Sequence, residues 1–386
     1  MSEKKKRLSF FEAAAIVAGY GIGGGIMAVP YLASLSGILP FLGVLIASYL
    51  FSLLIHLMVA EMVMRDSGTS QLVELFGKYL FRGKGGVAFT WFFFALILFA
   101  FLATLAAYIA GGGEILRDIL GLPLRAGQIL TYAVAASVVF FGLKAVGLSE
   151  KYAVGAIILI VGALVVGSLH LPFRVQAFTG GGMNEILALY GMVMFSFSAL
   201  FSVPQAVEGL SWNAKKVPAA VAAGMGVTGL VISLITVAAM GFSQEVTKVA
   251  IIGWGRAIGP WAFVFGGLFV LLAMLTSYWA ISLALADILK QRLKWGERVS
   301  WLAATLPTFL IVILGVSDFL GFMRLAGGAI ALLVAILVVP VLNGARRHGD
   351  VRNPEWSLRF FGTAFFQLLV ILAFLVMAVG SMVSVK

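Results

Sequence analysis

Ala18-Gly19-Tyr20-Gly21-Ile22-Gly23-Gly24-Gly25-Ile26 sits in the middle of the first long apolar run of the chain. Five of the seven residues from Gly19 to Gly25 are glycine, and each costs a helix interior about 1 kcal/mol relative to alanine. A helix entering this stretch is expected to lose its winding and to leave backbone N–H and C=O groups without intrahelical partners. In hydrocarbon such a break survives only where protein buries it or where it lines a wet cavity. Close packing of neighbouring helices is the other use of glycine in a membrane, and it suits a single GxxxG better than this dense run. A phosphate-cradling loop does not fit, because no strand precedes the glycines and their surroundings are apolar.

Composition sets the environment of that break. Of 386 residues, 62% are apolar and 11% charged, against about 45–50% and about 25% in a soluble domain. A chain this size cannot hide so much apolar surface from water, and with no cysteine a disulfide scaffold is excluded as well. Runs of about 20 apolar residues, enough to cross a bilayer, fall near 10–33, 38–64, 87–113, 127–144, 152–171, 184–207, 219–242, 258–286, 299–316, 320–342 and 360–383. The expected fold class is therefore an all-α polytopic membrane protein of about eleven spans, forming one domain over residues 1–386 with a cytoplasmic tail at 1–9. The polar stretch 66–85 predicts a short amphipathic helix on the membrane surface, and 244–257 a partly helical outer loop.

The net charge of +11 is not read as nucleic-acid binding, because basic residues of membrane proteins gather in cytoplasmic loops. With Met1 inside, 20 of the 27 lysines and arginines fall on the cytoplasmic side, which predicts an inner N-terminus and an outer C-terminus. The first apolar run is too long for a signal peptide and leads straight into the next, so it reads as an uncleaved span. His56, His170 and His348 are far apart and show no metal-ligand spacing; no cofactor is expected.

A second weak point lies in the sixth span, Met194-Phe195-Ser196-Phe197-Ser198-Ala199-Leu200-Phe201-Ser202-Val203-Pro204. Pro204 removes the hydrogen bond to the Leu200 carbonyl, and the serines can satisfy freed groups. Spans one and six hold corresponding places in two five-helix halves, a pattern of inverted repeats with discontinuous helices. In span eight, Ala273, Thr276 and Ser277 stand at i, i+3 and i+4 on one helical face. One carbonyl and two hydroxyls are hard oxygen ligands for a small cation, although such hydroxyls also bond back to the preceding turn.

In order and spacing these features resemble one family over nearly the whole chain. GxGGGIxxxP from Gly21 to Pro30, the F-S-F and proline of span six, Trp212-Asn213-Ala214-Lys215-Lys216-Val217-Pro218, and LxxLTSYWxxxxAxxD from Leu272 to Asp287 all contribute. Glu61 and the segment Leu325–Arg346 with Pro340 fit as well. The sequence resembles the amino acid/auxin permease and hydroxy/aromatic amino acid permease branch of the amino acid–polyamine–organocation superfamily.

That resemblance implies a leucine-transporter-type 5+5 inverted repeat with helices 1 and 6 broken. Repeat one would cover 10–171, repeat two 184–342, and 360–383 an accessory eleventh helix. It implies symport of an amino acid by alternating access across a plasma (inner) membrane. Mapped by motif, substrate would meet Gly21, Ile22, Gly23, Gly24 and Gly25 of span one and Phe195, Ser196, Phe197 and Ser198 of span six. Tyr108 is a candidate aromatic neighbour or gate, with plain core packing as the other reading. A sodium ion would take the carbonyls of Gly19 and Ile22 together with Ala273, Thr276 and Ser277.

Proton coupling remains the alternative, since the hydroxy/aromatic permeases carry a similar Thr-Ser and use protons. Some proton-coupled relatives place a lysine in span five, but Ala153 to Leu169 holds no ionisable residue here, which argues for sodium. Glu61, Glu208 and Asp287 sit near cytoplasmic ends, as solvated or gate-forming charges, and Glu114 and Arg117 are spaced to pair. No charge lies near the expected midplane of spans one, six or eight, so a neutral amino acid fits better than an ionic one. The other class of reading is a non-transporting sensor or channel of the same fold. No enzyme is expected, because no nucleophile–base pair or metal cluster appears.

Overall fold

The computed structural model describes residues 7–66, 68, 71–80, 86–174, 180–247, 249–316 and 337–383. Ser9 opens the first helix through a reciprocal capping box, its hydroxyl accepting the Glu12 N–H at 3.3 Å and its own N–H donating to Glu12 Oε2 at 2.8 Å. Helix α1, Phe10–Gly21, then stops in the glycine run. Gly23 N–H turns back to the Gly21 carbonyl at 2.9 Å, and α2, Gly24–Ser36, leaves at 58° to α1.

The chain continues through α3, Ile38–Met64, the short α4, Leu72–Tyr79, and α5, Gly86–Leu120. Helices α6, Leu124–Phe140, and α7, Leu143–Gly167, complete the first half. The second half holds α8, Met183–Ser196, α9, Val203–Gly209, and α10, Lys216–Phe242. After them come α11, Ala250–Ile258, α12, Pro260–Leu293, and α13, Glu297–Ile313. The described part of α14 covers 337–348, and α15 is Ala364–Met382.

Among the described residues, seven spans are long and apolar enough to cross a membrane, or eight with the bent α1–α2 pair taken as one. Two further expected spans correspond to α6 and α13, each 17 residues long, at the short end of what a bilayer needs. The tenth, 320–342, falls mostly on residues outside those described, as does most of the Leu325–Arg346 motif. On the outer faces large apolar side chains such as Ile46, Phe92 and Leu159 are more than half exposed, which suits hydrocarbon and not water.

The two broken pairs occupy the centre. Helix α1 packs on α7, α10 and α12, while α8 packs on α2, α3 and α15. Where α15 crosses α8, a Cβ on Gly191 would lie 2.7 Å from the Ser381 nitrogen, so the glycine sets how closely the last helix docks. Helix α4 buries Leu72, Val73, Leu75, Phe76 and Tyr79 and rests on α5, so the expected surface helix is docked on the bundle. In the expected outer loop, α11 is tied to the end of α7 by Trp254 Nε1–H donating to Ser168 Oγ at 2.7 Å.

Glu61 is not solvated as expected. It is fully buried and accepts from Arg65 Nε at 2.9 Å, Arg346 Nε and Nη2 at 2.8 Å each, and Leu358 N–H at 3.0 Å. The end of α3 and the stretch from Arg346 to Leu358, distant in sequence, are thereby clamped together. The expected Glu114–Arg117 pairing is replaced for Arg117 by Asp118, at 3.3 Å.

Candidate functional site

The two helix breaks face each other. Helix α8 ends at Ser196, where Phe197 N–H reaches back to the Val193 and Met194 carbonyls at 3.2 Å each. A single 3₁₀ turn, Leu200–Ser202, precedes α9. Pro204 lies in the first turn of α9. There its missing N–H costs nothing, so the proline starts a new helix and does not merely kink an old one.

The freed Ala199 N–H is captured by His56 Nε2 at 2.9 Å, and His56 Nδ1 is 2.6 Å from the Ser52 carbonyl. An amide can only donate and a carbonyl can only accept, so Nε2 is the acceptor and Nδ1 carries the hydrogen of a neutral ring. The glycines let the two breaks approach. A Cβ on Gly21 would sit 3.0 Å from the Ser196 carbonyl oxygen, and one on Gly25 would sit 2.6 Å from Ser196 Oγ.

Between the breaks lies a small cavity of about 70 Å³. Gly21, Gly23, Gly24 and Gly25 form one side, and Phe195, Ser196 and Ser198 another, with Tyr108 closing on them from α5. Two residues expected there are elsewhere. Ile22 is fully buried outside the lining and presents its carbonyl to the opposite side. Phe197 is also fully buried, its ring edge-on to Tyr49 with centroids 6.0 Å apart, because the chain leaves helical geometry at Ser196 and turns that side chain outward. The cavity gains Tyr20, Phe101, Thr104, Phe201 and Ile281, none of them singled out in the sequence.

Among the described residues lining it there is no Asp, Glu, Lys or Arg. The N-terminus of α2 begins at Gly23 without a side-chain cap, and the C-terminus of α8 ends beside it. A positive and a negative half-helix end therefore adjoin one small space. Tyr108 and Ser277 converge on the first break, their hydroxyls lying 2.7 and 2.6 Å from where a Cβ on Gly23 would stand.

Behind Gly23 a second cluster consists only of oxygens. Ser277 Oγ lies 3.1 Å from the Gly19 carbonyl, 3.3 Å from that of Tyr20 and 3.2 Å from that of Ile22. Thr276 Oγ1 lies 3.5 Å from the Ile22 carbonyl and 3.0 Å from that of Ala273. One serine hydrogen cannot serve three acceptors, so this convergence of carbonyls has oxygen lone pairs to spare for a small cation. The chain's own hydroxyls also fill part of that need, which keeps the geometry compatible with an empty cluster.

Helix α7 corrects the reading of span five. It begins at Leu143 and not near 152, so Glu150 lies two turns inside it. The side chain is fully buried, neither carboxyl oxygen has a hydrogen-bond partner among the described residues, and a Cβ added to Gly19 would collide with the carboxyl. The signal was a glutamate two residues before the expected start of that span, which hydropathy alone assigns to a loop. His56 was equally hidden, because only the crossing of α3 over the second break gives it a task.

Among curated protein sequences none matches this chain. Solved structures do. MhsT in complex with L-phenylalanine superposes with a TM-score of 0.71 at 15% identity, covering 97% of this chain and 99% of that one. Mhp1, a nucleobase-cation-symport-1 family transporter in a closed conformation with bromovinylhydantoin bound, gives 0.67 at 16% identity over 98% and 91%. A manganese transporter of Eremococcus coleocola in complex with an aromatic bis-isothiourea compound gives 0.64 at 14% identity over 96% and 85%. These likenesses establish an all-α polytopic fold of the leucine-transporter type. The chain is a multi-pass membrane transporter of a small molecule, and, with the family pattern matching residues 6–381, it belongs to the tryptophan/tyrosine permease family.

Proposed function

We propose that this permease takes up a neutral, aromatic amino acid by cation-coupled symport with alternating access. The observation that carries the reading is the meeting of two helix breaks across a cavity walled by aromatic rings, with no charged side chain among its described lining residues. Amides at the start of α2 suit a carboxylate, and carbonyls at the end of α8 suit an ammonium. Phe101, Phe195 and Phe201 give an apolar bed for a ring, with Phe101 and Phe201 already edge-on at 4.7 Å. An ionic side chain would go unpaired there. The family name and the phenylalanine bound to MhsT favour tryptophan or tyrosine over small amino acids.

Gly19, Ile22, Ala273, Thr276 and Ser277 are the proposed sodium ligands. Residues 10–171 and 184–342 are the two proposed repeats, with 360–383 accessory. The chain is proposed to sit in the plasma (inner) membrane with its N-terminus in the cytoplasm, on the strength of the lysine and arginine distribution. A proton as coupling ion is the second reading, and Glu150 is the observation that favours it.

The test is accumulation of labelled tryptophan in proteoliposomes under an imposed inward sodium gradient, with a panel of unlabelled amino acids as competitors. Accumulation blocked by aromatic amino acids and not by lysine or glutamate is the expected result. Binding without accumulation under any ion gradient would favour a sensor of the same fold.

A further inference from the structure

One turn beyond the cavity wall, the side-chain oxygen of Gln205 is buried with no hydrogen-bond donor among the described residues. We propose that Gln205 selects among aromatic substrates, its oxygen accepting the indole N–H of tryptophan or the phenol O–H of tyrosine. The proposal rests on the aromatic amino acid reading of the site and deepens it by naming the residue that would tell these rings from phenylalanine.

The amide is held in one sense. Gln205 Nε2 donates to the Ala280 carbonyl of α12 at 3.3 Å. Turning the amide over would set two acceptors against each other, so the nitrogen belongs on that carbonyl and the oxygen is the atom left over. A buried acceptor without a donor costs the folded chain free energy, and native structures keep few of them. Trp279 Nε1–H, a buried donor on the same stretch of α12, has no partner either, so the two do not satisfy one another.

Position turns that oxygen toward the site. Phe201 and Ile281 both line the cavity. Phe201 precedes Gln205 by four residues, and the 3₁₀ turn Leu200–Ser202 runs directly into α9, so the two share a face. Helical side chains lean toward the N-terminus, which carries the Gln205 amide back toward the Phe201 ring. On the facing helix, Ala280, which holds the amide, is the residue before Ile281. The amide therefore stands behind the wall that Phe201 and Ile281 form. The cavity of about 70 Å³ is well below the roughly 300 Å³ of the smaller ligand pockets, so a bound indole must push a wall back. Phe201 lies in the second break, outside regular α-helix, with its ring edge-on to Phe101. A substrate ring that takes its place brings its far edge to the Gln205 oxygen. Indole and phenol donate a hydrogen there, whereas phenylalanine leaves the oxygen bare, and a buried polar group left bare is how a site rejects an analogue.

The experiment measures, by calorimetry on purified protein, the binding of tryptophan and of its benzothienyl analogue, in which sulfur replaces the ring N–H at nearly the same shape. Wild type is expected to bind tryptophan about ten- to a hundredfold more tightly than the analogue. Gln205→Met keeps the length of the side chain without the acceptor. Its ratio is expected to fall to about one, through weaker binding of tryptophan and not of the analogue. A residue that only ties α9 to α12 would weaken both ligands alike, so a variant that keeps the wild-type ratio overturns the proposal. Equal binding of the two ligands by wild type overturns it as well. Should Gln205→Met fail to fold, Gln205→Leu takes its place with the same expectation. If neither folds, the wild-type ratio decides, with about tenfold or more in support and equality against. A wild type that binds neither of these ligands, nor tyrosine or phenylalanine, overturns the aromatic reading itself and is thus a separate outcome.

Discussion

The imidazole Nε2 of His56 lies 2.9 Å from the amide nitrogen of Ala199, and this one hydrogen bond joins an unbroken helix to the second helix break. With Nδ1 anchored on the Ser52 carbonyl one turn earlier in α3, the ring cannot rotate without losing both partners. The amide it holds is the group that would otherwise face hydrocarbon unpaired.

Replacing His56 with Leu removes the acceptor and leaves a buried N–H unsatisfied, at a cost of about 1–3 kcal/mol. Thermal unfolding of His56→Leu in detergent is expected at lower temperature than wild type, together with weaker tryptophan binding by calorimetry. An unchanged melting temperature and affinity would show that the break holds its shape without the ring.

Gly23→Ala places a methyl 2.6 Å from Ser277 Oγ and 2.7 Å from the Tyr108 hydroxyl, between the cavity and the oxygen cluster. Overpacking of about 1–3 kcal/mol is expected to weaken tryptophan binding about tenfold. Gly226→Ala is the control, since nothing lies within 4 Å of a Cβ there, and its uptake should match wild type.

Thr276→Ala combined with Ser277→Ala deletes both hydroxyls of the cluster and keeps the carbonyls. The sodium concentration for half-maximal tryptophan uptake is expected to rise at least several-fold. If the sodium response is unchanged in flux assays, the cluster is a hydrogen-bonded helix contact and nothing more.

Breaking the buried clamp at Glu61 should be costly, about 3–5 kcal/mol when one member of a buried pair is lost. Glu61→Gln is therefore expected to lower the melting temperature clearly. The double variant Glu61→Gln with Arg346→Met should lose less than the sum of the single variants.

The sequence exposed the parts of this site that depend on composition along a single helix. Five glycines in seven residues can hardly stay wound, and the i, i+3, i+4 spacing of Ala273, Thr276 and Ser277 fixes a common face wherever the helix goes. What it hid depends on where helices cross. Phe197 follows the last residue of α8, so helical periodicity does not set its direction, and it packs on Tyr49 and not in the cavity. Glu61 looked like a helix-end charge because its partners Arg346 and Leu358 lie 285 and 297 residues further on. Glu150 was lost to a boundary: residues 145–151, between the fourth and fifth expected spans, read as a loop by hydropathy, yet α7 already runs through them.

Helix α1 has 12 residues and so works as a lever only about 18 Å long, with its fulcrum in the glycines. A tilt of about ten degrees would carry its far tip about 3 Å. The tip is moored by the Leu8 amide on the Gly209 carbonyl at 2.7 Å and by Glu12 on Lys144 at 2.5 Å. Travel of that size exceeds what either tether can stretch, so both must let go together. The arm then has no resting place partway, and its motion takes the form of a latch that is either fastened or free.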